Sequence, residues 1–508
     1  MLKAILIISM LCLRVVGGQA AEHLPFKKAL DTITVDELQH HVYTLSDDSF
    51  EGREGGTQGG RAAGVYVAKA LSRIQCRPGG TTQYFQPFGA GLRNVLGLVS
   101  GTNPELRDEI VLVGAHYDHI GFGNKATSNG PTGYIHNGAD DNASGVAALL
   151  EVAQALQDLP DSPQRSVLFA FWDGEEKGLL GSKHWVEHPT RPLDRVVTAI
   201  NVDMIGRLSV DGLEVSGTRT AGNLRQWVSR RNMVTDLKIS FPWKTDDSSD
   251  HWPFYSRGVP VIVFHTGLHD DYHRPSDDAH LINLDGMHQV TELLFRCLVD
   301  LADAPAPHAF RHRSRQEGEQ QQKHLERKLA DAPPRLGISW SHQDQVGSGL
   351  LITRVAYNSA AHRAGLQIGD RMLQWNSETV NTTEQFQRLV QMSPTNSVAS
   401  VQRPNVDQPI HLEIQMSGHP LRLGISWRGD IGESGSVVLV RVAEGSPAEH
   451  SGLKPLDRVY EVNGQRFSNG EHFGELANNA PLPATLLVER WGRLREFTLQ
   501  PSSVHKNR

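Results

Sequence analysis

The stretch EIVLVGAHYDH, residues 109–119, decides how the first three hundred residues are read. EIVLVGA is an unbroken apolar run of strand length, the pattern of a strand buried on both faces. It stops abruptly at His116, Tyr117, Asp118 and His119. Three further runs behave alike. SVLFAFW (166–172) leads into WDGEEKGLLGS, which carries Glu175 and Glu176. VVTAINVD (196–203) closes on Asp203, and VPVIVFHT (259–266) precedes DYHRPSDD with Tyr272 and His273. Helical patterns lie before and between these runs, RAAGVYVAKALSRI (61–74) and ASGVAALLEVAQALQDL (143–159). The second is opened by GADDNASG, with Asp140 and Asp141. The alternation predicts an α/β fold, a largely parallel sheet covered by helices. In such sheets ligands bind beyond the carboxyl ends of the strands. Here His and carboxylate side chains gather at four such ends.

Imidazole nitrogen and carboxylate oxygen are zinc donors when thiolates are absent. A carboxylate has two oxygens and can bridge two ions. Two metals about 3.5–4 Å apart can hold both the attacking and the developing oxygen of a hydrolysis. Bound zinc lowers the pKa of water from about 15.7 toward about 7, and a neighbouring free carboxylate can then take the proton. The adjacent Glu175 and Glu176 suit that division, one as ligand and one as base. Calcium fits poorly, because His116 and His273 do not suit an all-oxygen site.

Six motifs, GAHYDH, GADDNASG, EEKGLLGS, NVDMIG, SDHWPF and YHRPSDD, follow one another in an order that resembles metallopeptidase family 28, the co-catalytic zinc aminopeptidases. EGREGGTQGGRAA (51–63) resembles the family's N-terminal segment. Glutamate carboxypeptidase and glutaminyl cyclase are related. The resemblance spans residues from about 45 to 300. It implies a doubly wound mixed sheet with helices on both faces, the zinc exopeptidase fold, and two zinc ions. It implies Asp141 as the bridging ligand, His116 and Asp203 on one zinc, and Glu176 and His273 on the other. It further implies Glu175 as general base, Asp118 as the acid that orients His116, and Tyr272 as a donor to the oxyanion. Asp140 reads as a turn-building residue. His119, His136, His265 and His269 read as rim or surface residues, and Asp250 and His251 as structural or cleft residues.

Residues 1–21 read as an export signal: Lys3, the apolar AILIISMLCL, then small residues ending at Ala20 and Ala21. The expected location is therefore secreted or periplasmic, with no membrane span after signal cleavage. The catalytic domain is expected over 22–302. A proline-bounded polar stretch, 303–334, reads as a linker with an exposed helix inside it.

Beyond it the sequence repeats. PPRLGISW (333–340) returns as PLRLGISW (420–427), and 349–380 aligns with 436–467. NSAAHRAGLQIGDRMLQWN (358–376) and GSPAEHSGLKPLDRVYEVN (445–463) resemble PDZ domains of the bacterial secreted-protease type. Two small, partly open β-barrels are implied, over 335–418 and 420–502. Such modules capture peptide C-termini at a sheet edge through backbone N–H groups, here near Leu336–Ile338 and Leu423–Ile425. The loop lacks the usual Gly-Leu-Gly-Phe, so a purely structural role stays open.

The formal charge of −7 gives no basic excess to attract nucleic acid. Mature Cys76 and Cys297 could pair or remain buried thiols. The expected function is peptide hydrolysis from a chain end, foremost as an aminopeptidase. A glutamate-type carboxypeptidase would need a basic pocket, with Arg207 and Arg257 as candidates. A non-catalytic binding protein on the same fold would be expected to have lost ligands, and none is missing.

Overall fold

The structure, a computed structural model, describes residues 24–329, 335–341, 349–418 and 422–500. The expected export signal lies outside the described residues. The chain divides into two compact units. The first holds the described residues up to Val210, with Asp247–Arg257 and Val263–Pro307. The second holds Asp211–Asp246, Gly258–Ile262 and the described residues from His308 onward.

The strands up to residue 265 are β1 (Arg77–Pro78), β2 (Phe85–Phe88), β3 (Leu92–Val99), β4 (Ile110–His116), β5 (Ser166–Trp172), β6 (Val196–Val202), β7 (Leu213–Ser216), β8 (Ile239–Ser240) and β9 (Val261–His265). In the first unit they run in the order β1-β3-β5-β4-β6, with β2 on β3 and the Val263–His265 part of β9 beside β6. β4 pairs in parallel with β5 and with β6, whereas β3 runs antiparallel to β5. The sheet is thus mixed. Every residue of β4 and β5 is buried, which explains why their sequences are unbroken apolar runs rather than alternating ones.

The helix Gly145–Gln157 is buried along most of its length, and Leu284–Asp303 lies against it. Thr57 caps the helix Gln58–Arg73 by accepting the Gly60 N–H at 3.3 Å, satisfying one of the orphan donors of the first turn. Cys76 and Cys297 are both buried and form no disulfide. No helix among the described residues is long and apolar enough to cross a membrane.

The second unit contains two similar antiparallel sheets. One comprises Ile338–Trp340, Leu350–Val355, Arg371–Trp375, Asn396–Gln402 and Ile410–Gln415 in spatial order. The other comprises Ile425–Gly429, Val437–Val442, Arg458–Val462, Ala484–Arg490 and Arg493–Leu499. Each closes over its own apolar core, around Trp375 and Phe386 in the first and Val459 and Phe473 in the second. The arginine of each RLGISW repeat caps the C-terminal end of its module's helix. Arg335 donates to the carbonyls of Val390, Gln391 and Ser393, and Arg422 to those of Asn478 and Ala480.

The expected domain boundary at 302 does not separate these units. Asp211–Asp246, inside the expected catalytic domain, clusters with the C-terminal modules. Buried charge explains the association. Arg219 donates to both oxygens of Asp430 at 3.0 Å, to Glu317 at 2.6 Å, and lies 3.5 Å over the Trp243 ring. Arg225 donates to Glu489 at 2.7 Å, and the Ile239 N–H to the Trp491 carbonyl at 2.8 Å. The expected linker is also held down in its described part. The helix Glu319–Glu326 places Leu325 in a small apolar cluster with Trp243 and Val438.

Removing one partner of a buried pair leaves an uncompensated charge, at a cost of about 3–5 kcal/mol. Arg219→Ala is expected to destabilise the second unit by less than that, because Arg458 still faces Asp430 and Arg311 still faces Glu317 at 2.9 Å; it is read as an earlier urea midpoint and faster proteolysis of the C-terminal half. An unchanged midpoint would mean the pair contributes nothing. Burial alone would raise the Asp430 carboxyl, but Arg458 and Arg219 hold it down to about 2. Its folded pKa lies below the unfolded value of about 3.9. The stability it contributes is thus present above about pH 4 and is lost as pH falls toward 2.

Candidate active site

The expected site residues converge at the carboxyl end of the first unit's sheet. His116 ends β4, and its Nε2 lies 3.2 Å from Asp141 Oδ1 and 3.3 Å from Asp203 Oδ1. Asp203 follows β6 directly. Its other oxygen accepts from Ser249 Oγ at 2.6 Å, and Ser249 is held in turn by Asn201 Nδ2 at 2.9 Å. On the far side of Asp141, His273 Nε2 lies 3.1 Å from Oδ2 and 3.2 Å from Glu176 Oε2. The two oxygens of Asp141 therefore face two different groups: His116 and Asp203 on one side, His273, Glu176 and His119 on the other.

Local backbone explains how a short loop presents Asp141 this way. Asp277 Oδ2 accepts the N–H groups of both Asp140 and Asp141, at 2.9 and 3.1 Å. Asp140 faces away from the cluster. Its Oδ1 accepts from Gly206 N and Ser144 Oγ, so it builds the turn, in keeping with its sequence reading. Met204, next to Asp203, and His273 itself adopt positive φ values of 53° and 55°. That region is uncommon for residues other than glycine, and such strain gathers at sites the surrounding fold over-determines.

Glu175 and Glu176 occupy the turn after β5. The Glu175 N–H donates to Asp118 Oδ1 at 3.0 Å. This alters the expected role of Asp118. His116 Nδ1 lies 3.1 Å from the Asp118 backbone carbonyl but 3.9 Å from its carboxylate. The carbonyl orients His116, and the carboxylate holds the Glu175 turn. Tyr272 stacks on His273 with ring centroids 3.9 Å apart.

His119 and His136 correct the sequence reading. Both are fully buried, not rim residues. His119 Nδ1 donates to Glu176 Oε1 at 2.8 Å and lies 3.7 Å from Asp141 Oδ2, within the second donor group. Its place three residues after His116 was the available signal. His136 bonds Ser128 Oγ at 2.8 Å. His265 and His269 are partly buried, and His269 Nε2 lies 3.2 Å from Asp140. Asp250 is buried and accepts from Ser182 Oγ, as a structural residue would.

The electrostatics follow from packing so many acids together. Burial pushes Glu175 well above the usual carboxylate range, and Asp250, Glu176 and Asp203 add to it against the pull of His116. Burial likewise raises Asp250, to about 7. For His116, burial disfavours the imidazolium, but Asp203 and Glu175 outweigh it and the pKa is raised. A carboxylate cluster of this density awaits positive charge. The donors are nitrogen and oxygen only, in two groups whose atoms lie within 4.8 Å of one another, and this set fits zinc.

A mixed α/β sheet with paired His–carboxylate groups at its carboxyl end defines a metallohydrolase-type domain. Residues 94–298 match the model of peptidase family M28, and residues 351–402 and 411–475 match PDZ domain models. The chain thus carries a peptidase family M28 domain followed by two PDZ domains. It is 29% identical over 211 residues to aminopeptidase YwaD of Bacillus subtilis, covering 40% of this chain and 43% of that one. It is 28% identical over 238 residues to leupeptin-inactivating enzyme 1 of Streptomyces exfoliatus, covering 46% and 49%. The chain thus spans about half the length of these relatives, or less. Among solved structures, BSAP, a zinc aminopeptidase from Bacillus subtilis, aligns with a TM-score of 0.43 at 17% identity, over 55% of this chain and 98% of that one.

Proposed function

We propose that the M28 domain is an exported two-zinc aminopeptidase, with Glu175 as its general base. The observation that carries this reading is Asp141, whose two carboxylate oxygens each face a separate His–carboxylate group. His116 and Asp203 would hold one ion with Asp141, and Glu176 and His273 the other, with His119 fixing Glu176. Bound zinc supplies Lewis-acid polarisation of the scissile carbonyl and of the attacking water.

The chain's own residues do the rest. Glu175 takes the proton of the attacking water and passes it to the leaving amine. Asp118 keeps the Glu175 turn in place. Burial, and then the surrounding carboxylates, push Tyr272 well above the ordinary phenol range. It therefore stays protonated and able to donate to the oxyanion. The acidic surroundings favour a free α-amino group over a carboxylate. Arg207, the candidate for a carboxypeptidase pocket, is already neutralised by Asp277 at 3.0 Å and Asp271 at 3.4 Å. Arg257 is exposed at the end of the helix Trp252–Ser256.

The test is a panel of aminoacyl-p-nitroanilides and N-blocked peptides, assayed with and without a chelator and added zinc. Turnover of free-amino substrates only, abolished by the chelator, is expected. Turnover confined to N-blocked peptides would overturn the aminopeptidase reading. Export is checked by finding the N-terminus of the mature chain near residue 22.

The PDZ domains are proposed to bind peptide C-termini beside the edge strands Ile338–Trp340 and Ile425–Gly429. In the second domain a groove of about 1030 Å³ lies along that edge, with Trp427, Gly470 and Gly474 in its lining. A fluorescent peptide with a free C-terminus is expected to bind the full chain, and its C-terminal amide to bind at least about tenfold more weakly. Equal binding would point to a structural role for these modules.

A further inference from the structure

Arg53 is a large charged group at this site that carries no assignment. It belongs to EGREGG, a segment without catalytic side chains of its own. Its side chain is buried, 1% exposed. Among the described residues no carboxylate pairs with it. Its guanidinium is instead enclosed by backbone carbonyls. Nε donates to Tyr117 O at 3.0 Å. Nη1 donates to Leu45 O at 2.7 Å and Asn137 O at 2.6 Å, and Nη2 to Gly138 O at 2.8 Å. Nη2 also lies 3.5 Å from Asp141 O. The Arg53 carbonyl in turn accepts the N–H of His119 at 3.3 Å.

Apart from the bond to Leu45, at the end of the helix Val35–Leu45, these contacts fall on two chain segments. Tyr117 lies between His116 and Asp118, and Asn137–Gly138 lead directly into Asp141. One guanidinium therefore spans from the end of β4, which supplies His116 and His119, to the loop that supplies the shared Asp141. The local backbone is built to put it there. Arg53 has φ +48°, and Gly52 before it φ +67°. A Cβ on Gly52 would meet the carbonyl oxygens of Gly121 and His136 at 2.6 Å, so only glycine lets this corner press against both segments. Taking a cation out of water is costly unless its donors are satisfied. Lysine could not satisfy this cage. Its ammonium has three donors at a single nitrogen and cannot match a planar fork spread over four carbonyls.

We infer that Arg53 is a positioning residue for the metal site: its guanidinium fixes the spacing between the His116–His119 segment and Asp141, and so the separation of the two donor groups. Its buried charge also offsets part of the carboxylate field. This inference rests on the two-metal reading of the site.

The test uses the full chain, with Arg53→Lys keeping the charge and Arg53→Met keeping much of the bulk. Zinc stoichiometry and affinity are measured by competition with a chromophoric chelator, and ligand geometry by the visible spectrum after cobalt loading. Near-ultraviolet circular dichroism reports the fold. Groups that orient metal ligands change affinity by about 10–100-fold when removed. Both variants are expected to weaken at least one zinc by that factor and to alter the cobalt bands, with native-like dichroism. Wild-type affinity and spectrum in the variants would overturn the inference while leaving the two-metal reading intact. A wild-type chain that binds no zinc would overturn both. Loss of the fold in both variants would make Arg53 a folding determinant and also overturn the positioning role.

Discussion

Glu175→Gln is expected to lower kcat by about 10²–10⁴-fold while leaving zinc content unchanged. General-base catalysis contributes a factor of that size, and the substitution removes the proposed proton acceptor at nearly constant volume. Glu175 lies outside both donor groups, so metal binding has no reason to change. Its turn is held by the backbone N–H bond to Asp118, which the substitution preserves. The amide side chain should leave KM nearly untouched, because the loss falls on a step made only in the transition state. Retention of kcat within about threefold would remove Glu175 from the mechanism. Loss of zinc together with activity would make it a ligand and move the base elsewhere.

On the two-zinc reading, Asp141→Ala is expected to abolish retention of both ions, from two per chain to none after dialysis. The other donors each serve one group, so His273→Ala should leave one ion bound. Asp141 is different because Oδ1 faces His116 and Oδ2 faces His273. Its loss also leaves His116, His273, Glu176 and Asp203 converging with no shared carboxylate between them. Zinc present at a thousand times its Kd stabilises a folded protein by about 4 kcal/mol, so the variant should also lose the rise in Tm that added zinc gives the wild type. Retention of one ion at wild-type affinity would show that Asp141 serves a single group and would remove the bridging role.

Much of the site was legible in the sequence because the fold places chemistry at regular points. A strand buried on both faces must be apolar throughout, so its end is marked by the first polar residue. His116, Asp203 and the Glu175–Glu176 pair stand at or just beyond such ends, and the structure gathers them. The repeat of RLGISW likewise marks two copies of one module. The burial of His119 is not legible there, because alternation along an extended segment does not say which side of a turn is enclosed. The exchange of roles at Asp118, where carbonyl and carboxylate serve different partners, depends on less than an ångström and left no trace in composition.

The sequence by itself determined four strands of the sheet, β4, β5, β6 and β9, the order of its motifs, the donor types available to a metal and the duplication at the C-terminal end. All of these are local: they depend on periodicity, on strand ends and on side-chain chemistry at fixed spacing. Only the tertiary structure decided which oxygen of Asp141 faces which histidine, that Arg53 joins two segments more than sixty residues away, and that Asp211–Asp246 groups with the C-terminal modules. Those outcomes depend on where a buried charge finds its partners. Desolvation makes an unpaired buried charge costly, so each arginine is fixed by whatever carbonyls or carboxylates the folded chain brings within reach, at sequence separations that no local pattern encodes.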